Sequence, residues 1–292
     1  MRRLVGLLLL MLATPAFAHG DLREIRAGEP VVLRPDRAYL LFRTLQPPRV
    51  VPNSPVFLRI PTAAELDRYR QARARAYQAA SPDLTRRYEE ARQRQSNGAA
   101  PPRPPSLETF NFVYTEQQNV DFVSLGRPFV RGRPESLYLV ETTPGDYVFY
   151  GLRYGGGSIG ALHVCWCLGT VGFSADAGSI TDLGYILSDR IHEVSALPEL
   201  AAESGYGPSI YGPLILWGAT VRPVRPDSSV PESLRTLPIR PGRYRAVGRF
   251  LEPRALAINR LAVVPGILDY DDRGRVVDPT TSRHVPDIVS SE

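Results

Sequence analysis

The sequence predicts a mainly β protein, an antiparallel β-sandwich (one large or two small) with a short helical hairpin inserted into it. Three observations carry this expectation. Apolar residues alternate in twos over most of the chain, the period of half-buried strands. Pro and Gly, 28 and 24 in number, punctuate the chain between those runs at short intervals, as turns between antiparallel strands require. One stretch, 62–95, abandons the alternation for Ala, Arg, Gln and Glu, which favour helix. With 43% hydrophobic residues over 292 positions, the chain can bury one large core or two small ones.

Residues 1–18 read as a signal peptide. Arg2 and Arg3 make a basic start, Leu4 to Ala13 an apolar run, and Ala16-Phe17-Ala18 a small-x-small cleavage site. The run falls short of the roughly 20 residues that a bilayer needs. Cleavage after Ala18 leaves His19 at the new N-terminus, with no cysteine there to accept lipid. No later segment is apolar for long enough to cross a membrane, so a periplasmic or secreted location and no transmembrane segment in the mature chain are expected.

Residues 19–61 are expected to supply the N-terminal strands of the β-domain, with Arg37 to Leu45 and Pro55 to Ile60 the clearest. The helical hairpin follows at 62–95. Thr62-x-x-Glu65 is a capping box, and Ser81-Pro82 reads as a second N-cap with a first-turn proline, so two short helices are expected. Leu66, Tyr69, Ala76, Leu84 and Tyr88 give a thin apolar face, suited to lying on the sheet surface. The hairpin's eight arginines exceed its five acids, a balance that suits an envelope protein or an anionic surface such as lipopolysaccharide phosphate. The competing expectation is a solvated face laced by Asp83 with Arg87, Arg86 with Glu90, and Glu90 with Arg94.

A proline-rich linker, 96–108, then leads into the main β-domain at 109–277. Its strands are read at Asn111 to Thr115, Ser136 to Thr142, Asp146 to Tyr154, Ala161 to Leu168, Thr170 to Ser174 and beyond Leu214. From Asp278 to Glu292 few core formers remain, and a loose C-terminal tail is expected. An internal echo, P-G-x-Y-x-x-x-G, starts at Pro144 and again at Pro241, each a turn feeding an alternating strand.

The stretch Leu137 to Leu183, with its Pro-Gly-x-Tyr turn at Pro144 and its Ala-Gly-x-Ile turn at Ala177, resembles exported β-sandwich proteins of unknown function from Gram-negative bacteria. Many of those are lipoproteins, whereas this chain has no lipid-accepting cysteine. The resemblance implies a fold and a compartment, and no catalytic residue.

Charge excludes several chemistries. The formal net charge of +5 falls to about +3 once Arg2 and Arg3 are removed, too mild to point to nucleic acid. All 35 basic residues are arginine, so there is no Schiff-base lysine, no Ser-Lys dyad and no Walker-type phosphate loop.

Four constellations remain. On a strand, His163, Cys165 and Cys167 share one face, opposite Val164 and Trp166, and could ligate zinc or copper(I). In an oxidising compartment Cys165 and Cys167 are instead candidates for a disulfide, although strand neighbours two apart lie about 6.6 Å apart, near the upper limit for a bridge. They could equally be small core residues. His19, with its amine freed, offers a second copper site of the histidine-brace type. Gly156-Gly157-Ser158-Ile159-Gly160 matches a hydrolase elbow with Asp189 and His284 in order, but a strand rather than a helix is read after Ser158. Asp269-x-Asp271 with Gly274 starts like a calcium loop, yet Arg273 and Thr280 occupy ligand positions, so a hairpin turn is expected there. A glycine- and proline-flanked loop around Tyr206 and Tyr211 completes the set. The reading that follows is an exported, non-enzymatic β-sandwich protein with an envelope-associated binding or structural role. The alternatives are a periplasmic copper or zinc protein using His19 or the His163, Cys165 and Cys167 face, and a serine hydrolase at Ser158.

Overall fold

The computed structural model describes residues 22–45, 54–94, 101–114, 119–123, 127–132, 135–154, 162–165, 169–189, 218–225, 228–248, 261 and 263–288. The expected signal peptide at 1–18, His19, Ser158, Cys167, Tyr206 and Tyr211 lie outside these residues. The protein is mainly β, with several antiparallel sheets and, among the described residues, a single long helix.

In chain order the elements are β1 (Arg23–Ile25), β2 (Ala38–Leu45), β3 (Ser54–Arg59), α1 (Ala63–Gln93), β4 (Val120–Phe122), β5 (Glu135–Thr142), β6 (Gly145–Tyr154), β7 (Leu162–Cys165) and β8 (Thr170–Ala175). There follow β9 (Ile180–Asp189), β10 (Gly218–Arg222), a 3-10 turn (Glu232–Leu234), β11 (Ile239–Pro241), β12 (Arg245–Val247), β13 (Asp269–Tyr270), β14 (Val276–Asp278) and β15 (Arg283–His284). One sheet runs β1-β5-β2-β9-β10 with β11 also on β9, a second runs β12-β8-β6-β3-β4 with β7 also on β6, and a third is β13-β14-β15. The first sheet departs from the antiparallel expectation: β2 and β11 both pair with β9 in parallel. For β2 the cause is the turn at 176–179, where Gly178 donates to the Arg37 carbonyl and Tyr39 to that of Ser179, delivering β9 alongside β2 in the same direction.

Strand alternation explains the core. Ala38, Leu40 and Phe42 on β2 and Tyr138 and Val140 on β5 turn one way, into a cluster with Phe57, Tyr147, Phe149, Val171 and Phe173 of the second sheet. Phe42 meets Phe57 edge-on at 6.1 Å, and Phe57 also contacts Phe149 and Phe173 at 6.0 and 5.9 Å. Tyr39 and Leu41 turn the other way, under Phe129 and Leu234. Both faces of the first sheet are therefore covered, which is why its strands carry the unbroken apolar runs YLLF and LYLV.

The echoed Pro-Gly-x-Tyr turns occupy equivalent places. Each follows a strand of the first sheet (β5, β11) and precedes one of the second (β6, β12). The two delivered strands flank β8 in the same register, since Val148 and Arg245, the residues after the two tyrosines, both pair with Gly172. Tyr147 stacks on Phe173 at 5.7 Å and Tyr244 meets the same ring edge-on at 6.0 Å.

Four expectations need correction. The helical hairpin is one continuous 31-residue helix with Pro82 inside it. Proline at that position removes one backbone donor and costs about 3 kcal/mol. Helix-forming neighbours on both sides and the ion pairs of Asp83 with Arg86 and Arg87 carry the helix through. Nor does α1 lie on the sheet surface: none of its residues is buried, and its ring contacts run to Phe110, Phe112 and Tyr114. Asn111 to Tyr114 is extended but belongs to no strand, because its aromatic side packs on the helix and β4 takes the place beside β3. Finally, the segment from Asp278, expected to be a loose tail, carries β15, and Ile288 packs on the outer face of the second sheet. Gly248 permits this, since a Cβ there would collide with the Pro286 carbonyl. The hairpin turn expected at Asp269 to Gly274 is present between β13 and β14, with the Asp271 carboxylate accepting from the Arg273 and Arg275 amides.

Phe57 is fully buried among three other rings, so Phe57→Ala should lower stability by about 3–5 kcal/mol, read as a fall in the urea midpoint at unchanged slope.

Candidate functional site

The insertion between β3 and β4 forms an arm. These two strands are antiparallel neighbours, with Leu58 opposite Val120, so the chain between them leaves and returns at one place. It leaves as α1, about 46 Å long at 1.5 Å per residue. It returns as the extended segment 101–114, antiparallel to the helix: Tyr77 meets Pro105 and Phe110, whereas Tyr69, two turns nearer the root, meets Phe112 and Tyr114. Arg73, between them, donates to the carbonyls of Glu108 at 3.0 Å and Phe110 at 3.3 Å. The two helices expected within 62–95 are thus one, and the limb that returns along it comes from 101–114, read from the sequence as linker and strand.

Arg59 fastens the root. Alternation puts it on the same side of β3 as Phe57, where the core ends and the arm begins. Its guanidinium donates to both oxygens of Glu65, Nη2 to Oε1 at 2.7 Å and Nη1 to Oε2 at 3.1 Å, and Nη2 also reaches Asn119 Oδ1 at 3.4 Å. One side chain therefore holds the outgoing and the returning limb. Glu65 does double duty, since its Oε2 accepts from the Thr62 amide at 2.7 Å in the expected capping box. The paired guanidinium and the Thr62 donors hold the Glu65 carboxyl down at about 2, against a burial effect in the opposite direction.

Along the exposed helix the expected pairs are present: Arg87 with Asp83 at 2.7 Å, Arg86 with Glu90 at 2.8 Å and Arg94 with Glu90 at 3.7 Å. Arg70 pairs with Asp67 and Arg92 with Glu89. Among the described residues Arg68 and Arg75 make no ion pair and are exposed.

Two polar clusters lie in the β body, and both tie strands together. Arg43, fully buried, binds Asp182 through Nη1 at 2.7 Å and Nη2 at 3.1 Å and donates to the Ser229 carbonyl at 3.0 Å. Its guanidinium also lies 5.8 Å from the Tyr185 ring, whose hydroxyl donates to Glu135 at 2.8 Å. Burial and the neighbouring Glu135 carboxylate push the Tyr185 phenol up. The second cluster surrounds Glu141 with Arg23, Arg34 and Arg37 at 2.9, 3.5 and 3.3 Å. Burial alone would raise the Glu141 carboxyl, and the three arginines outweigh it and bring the group below its ordinary range.

The sequence-predicted site residues fall differently. His163 and Cys165 stand two apart on β7, opposite Arg153 and Gly151 of β6. Their companion Cys167 lies outside the described residues, as do His19 and Ser158. Asp189 ends β9 in the first sheet and His284 sits exposed on β15 in the third. Among the described residues no group of three or more His, Cys, Asp or Glu is arranged to hold a metal ion. Sequence reasoning passed over Arg59 and Arg43. The available signal was an arginine in register with core residues at the end of one apolar run and inside another.

The depressed Glu65 carboxyl makes its contribution fully present above the ordinary carboxylate range and lost as pH falls toward 2. Glu65→Gln should therefore cost about 2 kcal/mol at neutral pH, with the difference from the parent closing near pH 2, read by thermal unfolding followed at the helix signal.

With this geometry in place, comparison of the chain with protein-family models, with curated proteins and with solved structures returns no match.

Proposed function

We propose that the protein is an exported, non-enzymatic β-sandwich protein of the periplasm or extracellular space, with an envelope-associated binding role carried by its arm. The observation that supports this most directly is α1 itself. A 31-residue helix with no buried residue and an internal proline adds little to the core, so its fitness contribution lies in what it meets outside the molecule. The ring contact of Phe42 with Phe57 and the shared apolar cluster support the face-to-face packing of the two large sheets as a sandwich. No described helix is long and apolar enough to cross a membrane.

A photo-reactive residue at Gln78, exposed on the arm, should give discrete adducts with envelope components in a Gram-negative host, whereas one at Asp272 on the β body should not. The same host should yield a mature chain starting at His19 by mass spectrometry. Matching adduct patterns at both positions, or a chain kept in the cytoplasm with Met1 intact, would overturn the proposal.

A second reading, copper or zinc binding by His163 with Cys165 and Cys167 or by His19, is favoured by one observation. β7 pairs with β6 in a regular register that includes His163 and Cys165, the two-residue spacing on which this reading rests. Metal analysis of the processed protein after copper and zinc loading should then give a stoichiometry near one, lost in His163→Ala or in a chain lacking His19. A value near zero removes this reading.

A further inference from the structure

Charge is distributed unevenly between the arm and the rest of the molecule. From Thr62 to Tyr114 there are nine arginines and six acids. Outside that segment and the Arg2-Arg3 start, 24 arginines face 24 acids. The net positive charge of the processed chain therefore resides on the arm alone.

Within the arm, the two helix arginines that make no ion pair share one face. Tyr69, Arg73 and Tyr77, spaced by four, turn toward the returning segment. On the opposite side Arg68, Arg75, Ala79, Pro82 and Arg86 form an exposed stripe. Arg75 lies two turns beyond Arg68, about 10 Å away, and Arg86 five full turns beyond it, about 27 Å away. Arg86 is shared between Asp83 and Glu90, but Arg68 and Arg75 have no acidic partner among the described residues. Only Ala79 and Pro82 stand between Arg75 and Arg86 on this stripe, so no bulky side chain holds a flat surface away.

Composition decides which anionic partner fits. A stable protein interface needs buried aromatic or aliphatic anchors at its centre. This stripe has none, and what it offers is spaced guanidinium groups, which bind phosphate oxygens in bidentate fashion. We propose that the outward face of α1 is a peripheral docking surface for the phosphate-bearing headgroups of anionic phospholipids, with Arg68 and Arg75 as its principal contacts. This rests on the envelope-binding role of the arm and names its partner. Attraction of this kind is worth about fivefold in partitioning per basic residue and is screened by salt.

The test uses the full processed chain and co-sedimentation with phosphatidylcholine vesicles with and without phosphatidylglycerol. Binding is expected only when phosphatidylglycerol is present, and it should fall steeply as salt is raised. Arg68→Gln combined with Arg75→Gln should weaken it about thirtyfold, while Arg273→Gln, an exposed arginine of the β body, should leave it unchanged. Circular dichroism of each variant reports whether the helix is retained. Absence of binding to phosphatidylglycerol vesicles at low salt with the helix intact overturns the inference, as does an equal loss in Arg273→Gln. If vesicles are ignored while the Gln78 cross-linker captures an envelope protein, the lipid surface is refuted and the envelope role stands. If both experiments are negative, both fall.

Discussion

The edge-on contact of Phe42 with Phe57 is the interaction on which the rest of the structure depends. It joins two sheets that share no backbone ladder among the described strands, so only side-chain packing holds them. Around it Tyr138 stacks on Phe42 at 5.3 Å, and Phe149 and Phe173 close on Phe57. Such ring pairs add to the burial of apolar area, which supplies most of the stabilisation at a junction of this kind. The same seam sets where the arm can emerge. Arg59 follows Phe57 by two residues on β3, at the last core-facing position before the chain leaves the sheet. The arm's anchorage is thus a by-product of the register that packs Phe57.

Covering both faces of the first sheet has a cost, because polar groups on its strands become buried. Arg43 and Asp182 answer one another across the parallel pair β2 and β9, and Asp182 also accepts from the Gly184 amide at 2.9 Å. Gly184 takes a left-handed φ of 71°, beside a shift of register between Leu41 and Arg43. A residue with a Cβ would strike the backbone around Pro223, so glycine is required there on two grounds. Pairs of this kind add little net stability, since desolvation offsets attraction, but removing one partner leaves an uncompensated charge. Their consequence is register: β9 has one place in which Asp182 meets Arg43.

Legibility in the sequence followed the strength of local signals. The strands β2, β3, β5, β6 and β8 were readable because each is a short run rich in β-branched, aromatic and aliphatic residues bounded by turn signals. The capping box and the three ion pairs of α1 were readable because they depend only on helical spacing. Strand β9 was missed because Asp182 and Gly184 interrupt its pattern, and both are excused only by partners far away in the chain. Pro82 was read as a break because proline disfavours helix interiors, and nothing local shows that the flanking residues will carry it. Asn111 to Tyr114 has the alternation of a strand, yet what its aromatic side packs against is a helix, a choice that alternation does not encode.

By itself, then, the sequence determined the β-rich class, the place and start of the helix, its ion-paired surface and its excess of arginine, because each depends on composition or on spacing within one segment. The tertiary structure alone decided that the helix is continuous and stands off the β body as an arm. It alone paired Arg43 with Asp182, and clamped the two limbs through Arg59, Glu65 and Asn119. Those outcomes depend on groups brought together from distant parts of the chain, where the balance between burial and desolvation is set by neighbours that no local pattern names.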